Sequence, residues 1–153
     1  MAVDLHALMG IALAEARAAP KHGDVPVGAV VAELATGELV ARRHNERELL
    51  ADPTAHAEIL ALRDAATSRG SWRLDGCVLV VTLEPCPMCA GAAVAARVSE
   101  VAFGAADPKA GALGTLYNLG ADSRLNHEFA VHAGVRSDEA ATLLKDFFAD
   151  RRP

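Results

Sequence analysis

Two cysteines three positions apart, Cys86 and Cys89, follow the run from Val78 to Leu83, apolar apart from Thr82, at the head of a helix-like segment. Thiols at i and i+3 in a first helical turn point the same way and can grip one metal ion. A separate stretch, His56-Ala57-Glu58, offers a ring nitrogen and a carboxylate. Catalytic zinc takes three protein ligands and keeps its fourth position for water, so His56, Cys86 and Cys89 make one complete set. Two thiolates offset the charge of the metal, and the N-terminal end of a helix stabilises them as anions. Zinc lowers the pKa of bound water from 15.7 toward about 7, which supplies hydroxide at neutral pH. Such a site needs a proton carrier beside the metal. Glu58 stands two residues from His56 and can serve without being a ligand. The residue types therefore point to metal-activated hydrolysis with a carboxylate shuttle.

Other uses of a C-x-x-C pair must be set against this. A redox pair belongs in a thioredoxin-like context and leaves His56 and Glu58 without a role. A structural zinc site wants four ligands, so His127 or His132 would have to join. A structural site also has no use for an unligated carboxylate beside the metal. Cys77, the third cysteine, reads as a small buried hydrophobe. His6, His22, His44 and His132 read as surface residues, and Trp72 as a packed one.

The elements that must hold these groups can be placed by pattern. Residues 4–18 read as an amphipathic helix with Asp4 as its N-cap and Leu5, Leu8, Met9, Ala12, Leu13 and Ala16 on one face. Residues 27–32 and 39–42 read as strands joined by turn chemistry at Ala35-Thr36-Gly37-Glu38, a β-hairpin. Residues 44–54 read as a polar loop, and 55–68 as a helix with Ile59, Leu60 and Leu62 as apolar contacts and Gly70 as its stop. The run 78–83 has the continuous apolarity of a strand covered on both faces. Pro87 opens the next helix, where its missing N–H costs nothing, and that helix continues to about Arg97. Residues 101–105 form a further strand, 106–127 a Gly-, Asp- and Asn-rich stretch with room for a short helix, and 129–131 a last strand. Residues 137–148 close as a helix with Ala140, Leu143, Leu144 and Phe147 facing inward. Strand–helix–strand–helix–strand order predicts parallel pairing in the second half and a three-layer α/β domain.

Residues 1–153 read as a single domain, long enough for a real core. Apolar residues make up 52% and charged residues 23%, an ordinary balance for a globular protein. No apolar run approaches the ~20 residues of a membrane helix, and no secretory signal is recognisable, so a cytoplasmic location without membrane partners is expected. Three cysteines, an odd number, argue against a disulfide framework. A net charge of −5 argues against gripping nucleic acid through a broad basic face.

His-x-Glu followed by Pro-Cys-x-x-Cys is a signature of zinc-dependent nucleobase deaminases. The wider sequence resembles the bacterial tRNA-specific adenosine deaminases of the cytidine deaminase superfamily. The segments that carry the resemblance are Val25-Pro26-Val27-Gly28-Ala29-Val30, His44-Asn45, Asp52 to Ile59, Thr82 to Ala92, Phe103 to Ala112, Leu125-Asn126-His127, and Phe147-Phe148 with Arg151-Arg152. They span nearly the whole chain. The zinc signature is specific for the chemistry, while Asp107 to Ala112 and the C-terminal helix narrow the substrate toward tRNA.

The resemblance implies a cytidine-deaminase-like fold, α/β and three-layered, with a mixed five-stranded sheet flanked by helices. It implies hydrolytic deamination of adenosine to inosine at the wobble position of an arginine tRNA anticodon, with one Zn2+ per subunit of a homodimer. On this pattern Glu58 shuttles protons, Asn45 hydrogen-bonds the target nucleoside, the Ala57 backbone touches the amino side of the base and Val27 packs near it. Asp107, Lys109, Asn126 and Phe148 match positions expected near the flanking anticodon nucleotides. Read bottom-up, the Asp107-Pro108 pair also suits a helix start, Asn126 a turn, and Phe148 core. Arg42, Arg43, Arg47, Lys109, Arg124, Arg151 and Arg152 could form a local basic rim, and the helix face from Ala90 to Val98 a subunit interface. The same zinc core would also serve a deaminase of free guanine, cytosine or a nucleoside such as cytidine, and a non-catalytic zinc-stabilised interaction domain is the reading from another class.

Overall fold

Residues 3–151 are described by a computed structural model. Helix α1 (Leu5–Ala16) begins where expected, because the Asp4 carboxylate accepts the Ala7 N–H at 3.0 Å. Strands β1 (Gly28–Glu33) and β2 (Leu39–His44) follow, then a helical turn α2 (Arg47–Leu50) and helix α3 (Ala57–Arg69). Strand β3 (Cys77–Leu83), helix α4 (Pro87–Ala96) and strand β4 (Glu100–Ala105) form the second half. It closes with β5 (Ala130–His132) and α5 (Ser137–Ala149). The five strands lie in the order β2-β1-β3-β4-β5. β1 is antiparallel to both β2 and β3, whereas β3–β4 and β4–β5 are parallel. The expected mixed sheet and its parallel second half are both present.

The apolar strands sort their side chains by parity, because successive residues of a strand face opposite sides. Val30, Ala32, Val78, Val80 and Ala102 meet Leu8, Met9, Ala12 and Leu13 of α1 and Ala140 of α5 on one face. Ala29, Val31, Leu79, Val81, Val101 and Phe103 meet Ala57, Ala61, Leu62 and Ala65 of α3 and Ala90, Ala93 and Val94 of α4 on the other. Complete burial of Leu13 alone contributes roughly 1.5–3 kcal/mol. Gly28 permits the closest approach between layers: a Cβ there would overlap the Ala12 carbonyl oxygen. Its N–H donates to Thr82 Oγ1 at 3.1 Å, tying the start of β1 to the site end of β3.

Several local expectations are corrected. The stretch 44–54 is not loop throughout, since β2 reaches His44 and α2 forms one helical turn. The buried Asp24 carboxylate holds that turn by accepting the Glu48 N–H at 2.7 Å and the Leu49 N–H at 3.1 Å. His22 and His44 are not free surface residues. Their Nε2 atoms lie 3.2 Å apart, with His22 Nδ1 on Asp24 at 2.7 Å and His44 Nδ1 on Glu15 at 2.9 Å. His132 is half-buried against Glu100. Trp72 does not pack inside: it is 62% exposed, with Arg73 and Arg97 near its ring. Ile59 is only partly buried, while its neighbours Leu60 and Leu62 are buried. Cys77 is fully buried, as expected. The stretch 106–127 does contain a short 3₁₀ turn, at Leu119–Ala121. Among the described residues no helix is long and apolar enough to cross a membrane.

Candidate active site

Two helix N-termini converge on one spot. His56 is the N-cap residue of α3 and Cys86 that of α4, both in extended backbone conformation, and Pro87 occupies the first turn of α4. The positive ends of both helix dipoles therefore face the same space, which favours thiolates and other anions there. Cys89 comes from the first turn of α4 and is buried.

The three donor atoms lie within 4.8 Å of one another, with His56 Nδ1 3.7 Å from Cys86 Sγ and 3.4 Å from Cys89 Sγ. A tetrahedral zinc with Zn–S near 2.3 Å and Zn–N near 2.05 Å puts its N and S ligands about 3.5 Å apart. The residues thus fit the metal in type and in spacing. Among the described residues no other such cluster of three occurs. The four-ligand structural alternative loses both of its candidates: neither His127, on the Val98 carbonyl at 2.6 Å, nor His132, paired with Glu100, joins the cluster.

The electrostatics suit an electrophilic centre. Hydrogen bonding from Cys89 pulls the Cys86 thiol down to about 4. The same bond, with burial, pushes the Cys89 thiol up. Hydrogen bonding to Cys86 raises His56. Glu58 is only 4% exposed, and burial raises its carboxyl despite its own N–H, His56 and the Cys89 thiol, which act the other way. A carboxylate held up in this way is a ready proton acceptor.

A cavity of about 180 Å³ opens over these groups, lined by Val25, Val27, Asn45, Arg47, His56, Ala57, Glu58, Leu83, Glu84, Cys86, Asp107 and Ala110. Asn45 is buried and fixed, donating to the Val25 carbonyl at 3.2 Å and accepting the Arg47 N–H at 3.1 Å. Asp107 Oδ1 accepts the Lys109 N–H at 2.9 Å, which starts the turn at the cavity mouth.

Of the residues singled out in sequence, His56, Ala57, Glu58, Cys86, Asn45, Val27 and Asp107 come together on this cavity, with Cys89 behind them. Lys109, Asn126 and Phe148 do not line it. Lys109 is exposed beyond Asp107. Asn126 lies in a separate groove with Trp72, Arg97, Arg124 and Leu125. Phe148 is 47% exposed on α5, edge-on to Phe147, so it is not core. The expected basic rim is largely spent on carboxylates: Arg42 on Glu15, Arg43 on Glu46 and Asp64, and Arg124 on Asp122. Among the described residues of that group only Arg47 lines the cavity, and it too has a carboxylate, Glu48, at 3.5 Å. Arg151 covers the Phe147 ring, and Arg152 lies outside the described residues.

Glu84 was assigned no role from sequence, yet it borders the cavity and is 2% exposed. A lone acid closing the apolar run before Pro85 was the available signal.

Comparison with known proteins decides the family. Residues 3–152 match the model of the MafB19-like deaminases. This chain belongs to that deaminase family. It is 49% identical over 141 residues to the tRNA-specific adenosine deaminase of Bacillus subtilis, covering 92% of this chain and 86% of that protein. A solved structure from a study of A-to-I editing by tRNA:A34 deaminases at the wobble position of transfer RNA superposes with a TM-score of 0.86. It shares 40% identity and covers 90% of this chain and 99% of that one. A guanine deaminase structure from Nitrosomonas europaea superposes with a TM-score of 0.81 at 30% identity, over 96% of this chain and 86% of that one. The cytidine-deaminase-like architecture of these relatives agrees with the fold described above.

Proposed function

We propose that this chain is a zinc-dependent hydrolase that deaminates adenosine to inosine at the wobble position of a tRNA, with an arginine tRNA as the substrate. The likeness to tRNA-specific adenosine deaminases along most of their own length carries this reading. His56, Cys86 and Cys89 hold one zinc ion per chain. When bound, zinc supplies a Lewis acid that makes hydroxide available near neutral pH. Glu58 takes one proton from the attacking water as the C–O bond forms and delivers it to the ring nitrogen; it then moves the remaining hydroxyl proton to the amino group, which leaves as ammonia when the C–N bond breaks, a role its burial and raised carboxyl suit.

Asn45 orients the nucleoside with an amide already locked by two hydrogen bonds. Val27 supplies an apolar wall, and the Ala57 backbone lies beside the amino group. A cavity of about 180 Å³ admits one flipped-out base rather than a duplex, so the substrate is a single-stranded loop. Asp107 meets the nucleotides next to the target, with Lys109, Asn126 and Phe148 as outer contacts. A few local contacts suffice for such a loop, consistent with a net charge of −5. The enzyme acts as a cytoplasmic homodimer, and Asn126, placed away from the cavity beside α4, reaches RNA held by the other subunit.

The likeness to a guanine deaminase makes a free-base deaminase the second reading. One assay separates the two. The protein is incubated with an anticodon stem-loop bearing adenosine at the wobble position, and separately with guanine, cytosine, adenosine and cytidine. Inosine formed only in the RNA is expected; ammonia released from guanine alone overturns the reading.

A further inference from the structure

Glu84 is the one buried carboxylate at the cavity that the proposed chemistry leaves unused. It directly follows β3, one residue before Pro85 and two before the ligand Cys86. Its two oxygens receive four donors from a single segment. Oε1 accepts the Asp107 N–H at 3.0 Å and the Thr115 hydroxyl at 2.5 Å. Oε2 accepts the Leu113 N–H at 3.0 Å and the Thr115 N–H at 3.1 Å. Gly111 arches over the carboxylate so closely that a Cβ there would overlap it, lying 2.6 Å from Oε2. The segment 107–115 is thus wrapped around one charge that is itself anchored beside the metal ligands.

We infer that Glu84 is a positioning residue: it fixes Asp107 at the mouth of the cavity and so sets how the flanking nucleotides of the RNA are held. The inference rests on the proposed role of Asp107 as a contact to those nucleotides. Asp107 is held at two points, its backbone N–H on Glu84 and its Oδ1 on the N–H groups of Lys109 and Ala110 at 2.9 and 3.3 Å. Releasing the first frees the turn that carries Lys109 and Ala110, and Ala110 also lines the cavity.

The conservative variant Glu84→Gln isolates this limb. An amide has one acceptor oxygen and one NH₂ donor. With its oxygen in the Oε2 position it keeps the Leu113 and Thr115 N–H groups, and its NH₂ can donate to the Thr115 hydroxyl. That NH₂ then confronts the Asp107 N–H, donor against donor. The flipped amide would oppose two backbone N–H groups, so the first orientation wins and the hydrogen bond from Asp107 is the one that breaks.

A double-mutant cycle on the zinc-loaded protein tests this, using kcat and KM for an anticodon stem-loop with wobble adenosine. Wild type, Glu84→Gln, Asp107→Ala and the double variant are compared, with zinc content measured for each. Glu84→Gln is expected to keep its zinc and to lose on the order of 10-fold in kcat/KM, chiefly through KM, as small displacements of a positioning group do. In the Asp107→Ala background the same change is expected to cost nothing further. Losses that multiply in the double variant, or an unaltered Glu84→Gln, overturn the inference while leaving the Asp107 contact in place. An unaltered Asp107→Ala overturns the Asp107 contact itself and this inference with it. Should Glu84→Gln not accumulate as folded protein, Thr115→Val goes through the same cycle, because it removes the hydroxyl donor that shares Oε1 with the Asp107 N–H; a smaller loss in kcat/KM is expected that again vanishes in the Asp107→Ala background, and losses that multiply overturn the inference.

Discussion

Glu58 and Glu84 are two carboxylates with almost the same burial, 4% and 2% exposed, bordering one cavity. Their chemistry differs because their surroundings supply different numbers of donors. Burial raises both. At Glu84 four hydrogen bonds outweigh it, from the Thr115 hydroxyl and the N–H groups of Asp107, Leu113 and Thr115, and hold the carboxyl below its ordinary value. At Glu58 only its own N–H, the Cys89 thiol and the nearby His56 oppose burial, and burial prevails. Desolvation alone therefore does not say whether a buried acid works as a proton carrier or as a structural anion; the donors around it decide. The chain keeps a responsive carboxylate at the start of α3 and an inert one just after β3.

The largest effect should come from the metal. Stripping zinc with a chelator, or changing Cys86 to Ala, is expected to abolish deamination, and added zinc should restore the chelated protein but not the variant. Full activity in metal-free protein, verified by elemental analysis, would break the hydrolytic reading. Next comes Glu58→Ala, expected to retain about one zinc per chain and to lose about 10²–10⁴-fold in kcat. Turnover within a few-fold of wild type would rule Glu58 out as the shuttle.

The third test reads stability and reverses the order of the two acids. Glu84→Gln is expected to lower stability by about 1.5–3 kcal/mol at neutral pH, whereas Glu58→Gln should not lower the melting temperature. Because folding lowers the Glu84 pKa, the unfolded chain binds that proton more tightly. The contribution of Glu84 is thus complete above the unfolded carboxyl's value near 4.5 and drains away as pH falls below it. Wild type and Glu84→Gln should therefore converge in acid-unfolding curves, and a gap that stays constant with pH would count against the charge. The smallest effect is expected of Thr115→Val, which removes one hydroxyl donor from Oε1. A loss of about 0.5–1.5 kcal/mol is expected, with the acid limb shifted to higher pH. No shift would mean that the backbone donors alone hold Glu84 down.

The clustering of His56, Cys86 and Cys89 was legible in sequence because each part is local. Cys86 and Cys89 share one helical turn, and His56 and Glu58 share the start of another. The central strands β1, β3 and β4 also announced themselves by their apolar content. The fold class followed from the order of elements, and the mixed sheet with its parallel half agrees with it. Glu84 was not legible because its partners lie 23 to 31 positions downstream, in a segment with no period to read. The same holds for His22 and His44, brought together across 22 positions by the hairpin and the first helix. Trp72 misled for a related reason: its size suggests burial, but it lies beyond the end of α3, outside both apolar layers.

The strand order has a consequence for self-association. Its two outermost strands are β2 and β5, the places where a sheet can recruit strands from another molecule. β2 carries Arg42, Arg43 and His44 in succession, and β5 is only three residues long. Consecutive charge at one margin and brevity at the other both discourage strand-to-strand growth between molecules, a natural guard against aggregation.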